Sequence, residues 1–263
     1  MDELARELSE YLVDRLKETA GTSRLLVGIS GIPASGKSSL AKRVVAHCNE
    51  IFNKINPRLS PAILVGLDGW HLTRAQLDAF PDPKLAHDRR GAHWTFDGAS
   101  YAAFIAALRS PVNESSDKVI RAPTFDHAVK DPEPDAVAIL PHQRLIIIEG
   151  LYTFLSIDPW RAAGEMLDER WFIDIGVEDA SKRLVKRHVI TGVAKDVEEA
   201  IWRAEQNDMP SEFFFYVISL WHINVGSPDG RFIIDHMLEP TRRISSLDDS
   251  TFAISVERAP EPY

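Results

Sequence analysis

The residues in this sequence with the clearest capacity for chemistry form the pattern Gly31-x-x-x-x-Gly36-Lys37-Ser38. Glycines allow backbone N–H groups to converge on an anion because no Cβ stands in the way. A lysine at this spacing can reach the β- and γ-phosphates of a nucleotide, and the serine hydroxyl can bind Mg²⁺. The predicted phosphate-binding loop comprises Gly31, Ile32, Pro33, Ala34, Ser35, Gly36, Lys37, Ser38 and Ser39.

The segments on either side of this loop support the prediction. An apolar run over 25–29 is typical of a buried strand, and apolar residues from Leu40 to Ile51 recur at helical spacing. Strand, glycine loop and helix in that order are the context that a phosphate-binding loop requires, and the helix adds its positive N-terminal end. The alternative is a glycine turn that leads into an ordinary helix.

Two carboxylates follow other buried strands. The apolar run 62–67 ends at Asp68, and the run 144–148, the most hydrophobic in the chain, ends at Glu149. Ligands of open parallel sheets bind beyond the carboxyl ends of the strands, so both side chains should face the phosphate loop. Asp68 could accept the proton of a substrate hydroxyl, and Ser38, Glu149 and Asp68 are the predicted Mg²⁺ site.

Each carboxylate also has a plainer interpretation. Asp68-Gly69 could be a simple turn between strands, although the segment after it looks helical rather than extended. Glu149 could be a partly exposed strand end.

A basic helix is predicted from Glu178 to Ile190. Arg183 and Arg187 are four residues apart and therefore share one face, which could bind a triphosphate or could simply be solvated. Thr191-Gly192 ends this helix, and a further helix is predicted from Asp196 to Asn207.

The remaining segments are assigned from periodicity and turn residues. The sequence predicts an amphipathic helix over 2–19, a long irregular loop over 81–97, a helix from Asp97 to Leu108, a strand over 119–125 that enters Asp126-His127, a proline-rich acidic loop over 129–141 and a strand over 171–175. Asp126 and His127 could be functional or an ordinary solvated loop pair. Residues 213–263 remain unassigned, apart from a possible strand at 252–256.

Composition narrows the class of protein. The chain has 263 residues, a net charge of −9, 44% hydrophobic residues and a single cysteine, Cys48. The acidic charge argues against a nucleic-acid partner, and one cysteine permits no disulfide framework. We found no apolar run long enough for a membrane span and no signal-peptide core. These features predict a cytoplasmic protein without a membrane or nucleic-acid partner.

An ordered set of motifs resembles one group of proteins, the uridine kinase, pantothenate kinase and phosphoribulokinase group of P-loop kinases. Within that group the chain is most similar to the proteins related to the fructose-transport-system kinase. The matching motifs span about residues 24–212 and are Gly31–Ser38, Leu67–His71, Arg89–Asp97, Pro123–His127, Ile148–Tyr152, Arg183–His188 and Asn207-Asp208.

The resemblance implies a function for several of these residues. Asp68 would be the catalytic base, with Lys37 and Ser38 on phosphate and Mg²⁺, and Arg187 would belong to a mobile lid. The acceptor pocket would contain Arg90, Asp126 and His127, together with Trp70 and His71. Trp70 and His71 stand where relatives more often carry Phe-Tyr or Phe-His, so the sequence leaves the acceptor open.

The expected fold is an α/β P-loop NTPase with an open parallel sheet, helices on both faces and a lid segment. We expect one domain over 1–263, with a core over about 24–212, a lid over about 183–203 and an unplaced C-terminal segment. The expected activity is transfer of the γ-phosphoryl group of ATP, with Mg²⁺, to a hydroxyl of a small metabolite such as a nucleoside, a sugar or a pantothenate-like compound.

Two alternatives belong to other functional classes. In a GTPase-like switch, Asp88–Gly91 would fit the D-x-x-G element, but no N-K-x-D guanine motif follows. A regulatory or hydrolytic ATP-binding protein would share the loop, but it would not need a base at Asp68.

Overall fold

A computed structural model describes residues 1–57, 60–112, 119–126, 128–190, 195–203 and 230–246. In this part of the chain a five-stranded parallel sheet has the order β2-β5-β1-β6-β7, and β3 and β4 form a separate antiparallel hairpin. The strands are β1 Leu25–Gly31, β2 Ala62–Gly66, β3 Ile120–Asp126, β4 Asp131–Ile139, β5 Leu145–Glu149, β6 Glu169–Asp174 and β7 Arg242–Ser245. The predicted fold class is confirmed.

Helices cover both faces of the sheet. Their bounds are α1 Asp2–Glu18, α2 Lys37–Ile55, α3 Arg74–Asp78, α4 Pro83–Asp88, α5 Gly98–Leu108, α6 Trp160–Glu165, α7 Val177–Ile190, α8 Val197–Arg203 and α9 Gly230–Asp235. None of the helices among the described residues is long and apolar enough to cross a membrane.

The central strands are buried on both sides, as their continuous apolar sequences require. Successive side chains of a strand point to opposite faces, so β1 divides its residues between two cores. Leu25, Val27 and Ile29 pack against α1 and α2, whereas Leu26 packs on the other face with residues of α5 and α6. This two-sided burial sets the register of the sheet.

The prediction of a proline-rich loop over 129–141 is wrong, because residues 131–139 form the strand β4. Among the described residues the strand pairs only with β3, and Phe125 is opposite Pro132 in the register. A proline is tolerated in a strand with only one neighbour, since its missing N–H can face away from the pairing side. Four consecutive residues from Glu133 to Ala136 are exposed, so the sequence lacks the apolar alternation that marks a half-buried strand.

The prediction of an irregular loop over 81–97 is wrong in part. It contains α4, which begins with Pro83 in its first turn, where a proline has no N–H to lose. The side chain of Asp82 caps the helix by accepting a hydrogen bond of 2.9 Å from the Leu85 amide. A short 3₁₀ turn follows at His93–Thr95.

The C-terminal segment that sequence analysis left unplaced contains two elements of the main fold. Ile233 of α9 is fully buried, and β7 pairs in parallel with β6, with Ile173 opposite Ile244. The predicted strand over 252–256, the Thr191-Gly192 break and the predicted helix beyond Arg203 lie outside the described ranges.

A buried carboxylate joins the N-terminal helix to the sheet edge formed by β6 and β7. Glu169 is 4% exposed and accepts hydrogen bonds from Tyr11 Oη at 2.5 Å, Trp171 Nε1 at 3.2 Å and Thr241 Oγ1 at 2.6 Å. Burial raises the pKa of the Tyr11 phenol, and the neighbouring Glu169 raises it further, so the phenol stays a donor. These bonds satisfy a charge that would otherwise be costly to bury.

We therefore expect Glu169→Ala to lower the free energy of unfolding by about 3 kcal/mol, because it leaves the buried indole N–H of Trp171 and the partly buried phenol of Tyr11 without their acceptor. Denaturant unfolding of the purified protein measures this loss. Glu165→Ala is the control, since Glu165 forms an exposed pair with Arg161 and its loss should change stability little. A Glu169→Ala variant as stable as the control would contradict the assignment.

Candidate active site

Three neighbouring strands bring the predicted phosphate loop and both carboxylates to one edge of the sheet. Glu149, the last residue of β5, is opposite Ile29 of β1 on one side and Gly66 of β2 on the other. The phosphate loop follows β1, and Asp68 stands two residues beyond β2 in a 3₁₀ turn. The register thus aligns the ends of the strands from which the predicted catalytic groups extend.

The loop's backbone has the shape that its glycines predict. A Cβ on Gly31 would lie 2.6 Å from Ser35 Oγ and 2.9 Å from the Ile173 carbonyl oxygen, so the position has no room for a side chain. Gly36 adopts a φ of 91° and Ala34 a φ of 60°, both in the left-handed region that favours glycine. The chain can therefore fold tightly between β1 and α2.

The first turn of α2 is open to an anion. Its N-cap residue is Gly36, no side chain caps its amides and its first turn has no acidic residue. The positive end of the helix dipole and the first backbone N–H groups therefore point into the loop. Lys37 is the first residue of this helix, and its Nζ lies 3.5 Å from the Ile32 carbonyl oxygen across the loop.

Glu149 is electrostatically coupled to the other predicted site residues. Burial raises the pKa of its carboxyl above the ordinary value, and the nearby charge of Asp68 raises it further. The charge of Lys37 and a hydrogen bond of 3.1 Å from Ser38 Oγ to Glu149 Oε2 act in the opposite direction. Lys37, Ser38, Asp68 and Glu149 thus form one group of interacting polar side chains.

This group has oxygen donors that suit Mg²⁺. Mg²⁺ binds oxygen ligands, commonly one or two carboxylates with water and substrate phosphates making up the rest. The hydroxyl of Ser38 and the carboxylate of Glu149 are already within hydrogen-bonding distance of each other, beside the open end of α2. The residues present therefore fit the ion.

Asp68 differs from Glu149 in its access to solvent. The side chain of Asp68 is 55% exposed, and the Nδ1 atom of His71 lies 4.0 Å from its Oδ1 and 2.9 Å from its backbone carbonyl oxygen. The imidazole of His71 packs between the rings of Phe96 and Phe125, with centroids 3.9 and 5.0 Å away. An exposed carboxylate on an ordered turn can receive a proton from a bound molecule.

Trp70, which was predicted to bind the acceptor, lies in the hydrophobic core. It is 3% exposed and packs against Tyr101 and Phe104, with centroids 5.4 and 5.0 Å away. An indole this deeply buried presents little surface to a ligand, so the structure does not support Trp70 as an acceptor-binding residue. Its packing instead anchors the turn that carries Asp68.

Arg90 is bound to the β3–β4 hairpin. Its guanidinium donates to the carbonyl oxygens of Leu72 at 2.8 Å and Lys130 at 2.5 Å, and to Asp131 Oδ1 at 2.8 Å. Burial alone would raise the pKa of Asp131, but the hydrogen bonds from Arg74 and Arg90 outweigh it and hold the pKa below its usual value. Asp131 thus holds Arg90 and Arg74 at the start of the hairpin. The sequence did not reveal this contact, because Asp131 lies in the segment predicted as a loop.

Asp126 ends β3 and shapes the hairpin turn. Its Oδ1 accepts hydrogen bonds from the backbone amides of Ala128 at 2.7 Å and Val129 at 3.1 Å. The hairpin lies directly against the Asp68 turn, since a Cβ on Gly69 would be 2.4 Å from the Pro123 carbonyl oxygen. The structure thus brings Asp126 and Arg90 to the same side of the site as Asp68, while His127 lies outside the described residues.

Arg183 is connected to the phosphate loop through Ser246, which lies in the C-terminal segment that the sequence left unassigned. Its Nη1 donates to Ser246 Oγ at 2.8 Å, and that hydroxyl donates to the Ser35 carbonyl oxygen at 2.7 Å. Arg187 belongs to the same helix, α7, but its side chain is outside the described part of the structure.

The raised pKa of Glu149 predicts a pH-dependent stability. The folded state holds this proton more tightly than the unfolded state, so the unfolding free energy falls as pH rises from the ordinary value of 4.5 through the folded pKa. Glu149→Gln cannot titrate at this position. The unfolding free energy of the variant minus that of wild type should therefore increase as pH rises from 4.5 to the folded pKa of Glu149, and stay constant at higher pH. Urea unfolding at a series of pH values, without Mg²⁺ or nucleotide, measures the difference.

The matched control for this measurement is Glu165→Gln, at an exposed glutamate in α6. Its difference from wild type should change little with pH. A Glu149→Gln difference that is equally flat would show that burial does not penalise the Glu149 carboxylate.

Two relatives match most of their own length to this chain. An ATP-dependent kinase-like protein from Aspergillus versicolor is 49% identical over 142 residues, which cover 54% of this chain and 82% of the relative. A candidate uridine kinase from Schizosaccharomyces pombe is 34% identical over 203 residues, which cover 77% of this chain and 81% of the relative. No family model matches the sequence.

Comparison with solved structures gives the same result. The crystal structure of a protein assigned as a fructose transport system kinase from Silicibacter sp. TM1040 superposes with a TM-score of 0.70 and 26% identity. The match covers 91% of this chain and 98% of that protein. With the two relatives above, it confirms the resemblance that the motifs predict: the chain belongs to the uridine kinase-like family of P-loop kinases.

Proposed function

We propose that this protein is an ATP-dependent kinase that transfers the γ-phosphoryl group of ATP to a hydroxyl group of a small metabolite. The observation that carries the proposal is the convergence at one sheet edge of an uncapped helix end, the Lys37 charge and an exposed carboxylate, Asp68. The names of the relatives, an ATP-dependent kinase-like protein and a candidate uridine kinase, support the same activity.

The phosphate end of the nucleotide would lie in the loop from Gly31 to Ser39. Backbone amides there and at the start of α2 supply donors, and Lys37 places a positive charge where negative charge accumulates during transfer. Arg183 would add a second positive charge from α7, with Arg187 from the predicted lid. An arginine stays charged throughout and can bind phosphate oxygens in a fork.

Mg²⁺ would be held by the hydroxyl of Ser38 and the carboxylate of Glu149, with Asp68 near its water shell. When bound, the ion neutralises charge on the phosphates. The raised pKa of Glu149 describes the protein alone, and a nearby cation would favour the ionised carboxylate.

The acceptor hydroxyl would approach Asp68, which accepts its proton as the oxygen attacks the γ-phosphorus. The exposed carboxylate is available for that contact, whereas the more deeply buried Glu149 is occupied by Ser38. The acceptor itself would lie between the Asp68 turn and the β3–β4 hairpin, beside His71, Arg90 and Asp126. Nucleosides, sugars and pantothenate-like compounds all offer a suitable hydroxyl.

The test of this function is ADP formation that depends on an added hydroxyl compound. The alternative, a regulatory or hydrolytic ATP-binding protein, predicts ADP release that no added metabolite increases. A thermal-shift screen of metabolites with a non-hydrolysable ATP analogue selects the compounds to assay, since a bound acceptor raises the melting temperature.

Lys37→Ala should abolish acceptor-dependent ADP formation, because it removes the charge that faces the phosphates. Steady-state kinetics on the folded variant measures the loss. Lys54→Ala is the matched control, a lysine near the other end of the same helix, exposed to solvent and expected to leave the rate unchanged. Near-normal turnover by Lys37→Ala would refute the nucleotide site.

Asp68→Asn should keep MgATP binding and lose about 10²–10⁴-fold in turnover, since the amide cannot accept the hydroxyl proton. Nucleotide titration beside steady-state kinetics separates the two effects. Asp14→Asn, at an exposed residue of α1 paired with Lys17, is the control. Equal turnover by Asp68→Asn and wild type would exclude Asp68 as the base.

A further inference from the structure

The hydroxyl of Ser246, just beyond strand β7, connects helix α7 to the phosphate loop. Ser246 directly follows β7, and its backbone amide donates to the Asp174 carbonyl oxygen at 2.7 Å, which holds it at the end of β6. Its Oγ donates to the Ser35 carbonyl oxygen at 2.7 Å and accepts from Arg183 Nη1 at 2.8 Å. Both distances are those of well-formed hydrogen bonds.

The connection joins three segments that are far apart in sequence. Ser246 is separated from Ser35 by 211 positions and from Arg183 by 63. The Ser35 side of the bond is rigid, since Ser35 is fully buried and its side chain occupies the space that a Cβ on Gly31 would need. The strand end is also fixed, because Ile244 is buried in the core beneath α1 and α2.

An arginine that is already held in place before a ligand binds loses less conformational entropy on binding. A free arginine side chain loses much of its rotamer entropy when a ligand orders it. The bond to Ser246 orders the guanidinium of Arg183 before nucleotide arrives, and it does so beside the loop backbone. A guanidinium has five N–H donors and can bind several acceptors at once.

We propose that Ser246 is a positioning residue of the nucleotide site: its hydroxyl holds Arg183 beside the phosphate loop for contact with the nucleotide phosphates. This inference rests on the proposed function, because it requires that the loop bind a nucleoside triphosphate. It assigns a functional role to the strand β7 and its C-terminal end, which no motif of the sequence indicated.

The test is titration of the full chain with Mg²⁺ and a non-hydrolysable ATP analogue, followed by calorimetry. Ser246→Ala should weaken binding about tenfold, the effect of losing one hydrogen bond to a charged group. Ser246→Thr keeps the hydroxyl and should bind within about twofold of wild type. Ser245→Ala is the matched control, since Ser245 is an exposed neighbour on β7 that forms no side-chain hydrogen bond within the described ranges.

A double variant separates positioning from a general loss of structure. If Ser246 acts through Arg183, then Ser246→Ala should change affinity less than about twofold in an Arg183→Ala background. Equal affinities of Ser246→Ala and wild type, or a full tenfold loss in both backgrounds, would overturn the inference while leaving the kinase proposal intact. Wild-type affinity in Lys37→Ala would instead overturn the nucleotide site and this inference with it.

Discussion

Burial of the adjacent parallel strands β1 and β5 on both faces, with β2 partly buried beside β5, is the constraint on which the site depends. Because these strands pack into a core on each face of the sheet, none of them can slip by one residue without exposing apolar residues. Their shared register then fixes where the chain leaves the sheet, with Glu149 level with Ile29 and Gly66. The geometry of the candidate site is a consequence of hydrophobic packing several residues away.

The polar groups at that edge of the sheet make unfavourable electrostatic interactions that a bound ligand could relieve. Without nucleotide or metal, the Glu149 carboxylate is desolvated and lies near the like charge of Asp68, while Lys37 provides only partial compensation. The N-cap of α2, Gly36, likewise makes no side-chain cap hydrogen bond to the first turn of the helix. Both features are unfavourable in the protein alone, and the ligand that we propose, MgATP, would relieve them because it brings an anion and a cation together.

The sequence was sufficient to predict the elements whose residues carry a strong pattern. The continuous apolar runs of β1, β2 and β5, and the glycine loop between β1 and α2, are local signals, and local signals can be read from one chain. The end of β5 at Glu149 and the turn at Asp68 followed from the rule that parallel strands present their carboxyl ends on one edge.

What the sequence did not reveal depends on contacts between distant segments. β4 has an exposed, proline-containing sequence and exists because it pairs with β3. β7 has only four residues, and its position comes from the ladder with β6 rather than from its own composition. Trp70 looked like a variable acceptor residue next to Asp68, and only the packing of Tyr101 and Phe104 shows that it belongs to the core.

The proposed acceptor side of the candidate site is held by different contacts from those of the proposed nucleotide side. Two arginines, Arg74 and Arg90, bind Asp131 at the start of β4, and Arg90 also lies over the Phe125 ring. These contacts tie the hairpin to the segment that precedes α5, while the Asp126 side chain is engaged by the amides of its own turn. The β3–β4 hairpin lies outside the main sheet, but its residues Ile120, Ala122 and Ile139 are buried in the same core as Trp70. They therefore support the turn that carries Asp68, whereas the exposed hairpin residues from Glu133 to Ala136 can change without altering that core. The hairpin thus contributes both to the packing beneath Asp68 and to the side of the site where we propose that the acceptor binds.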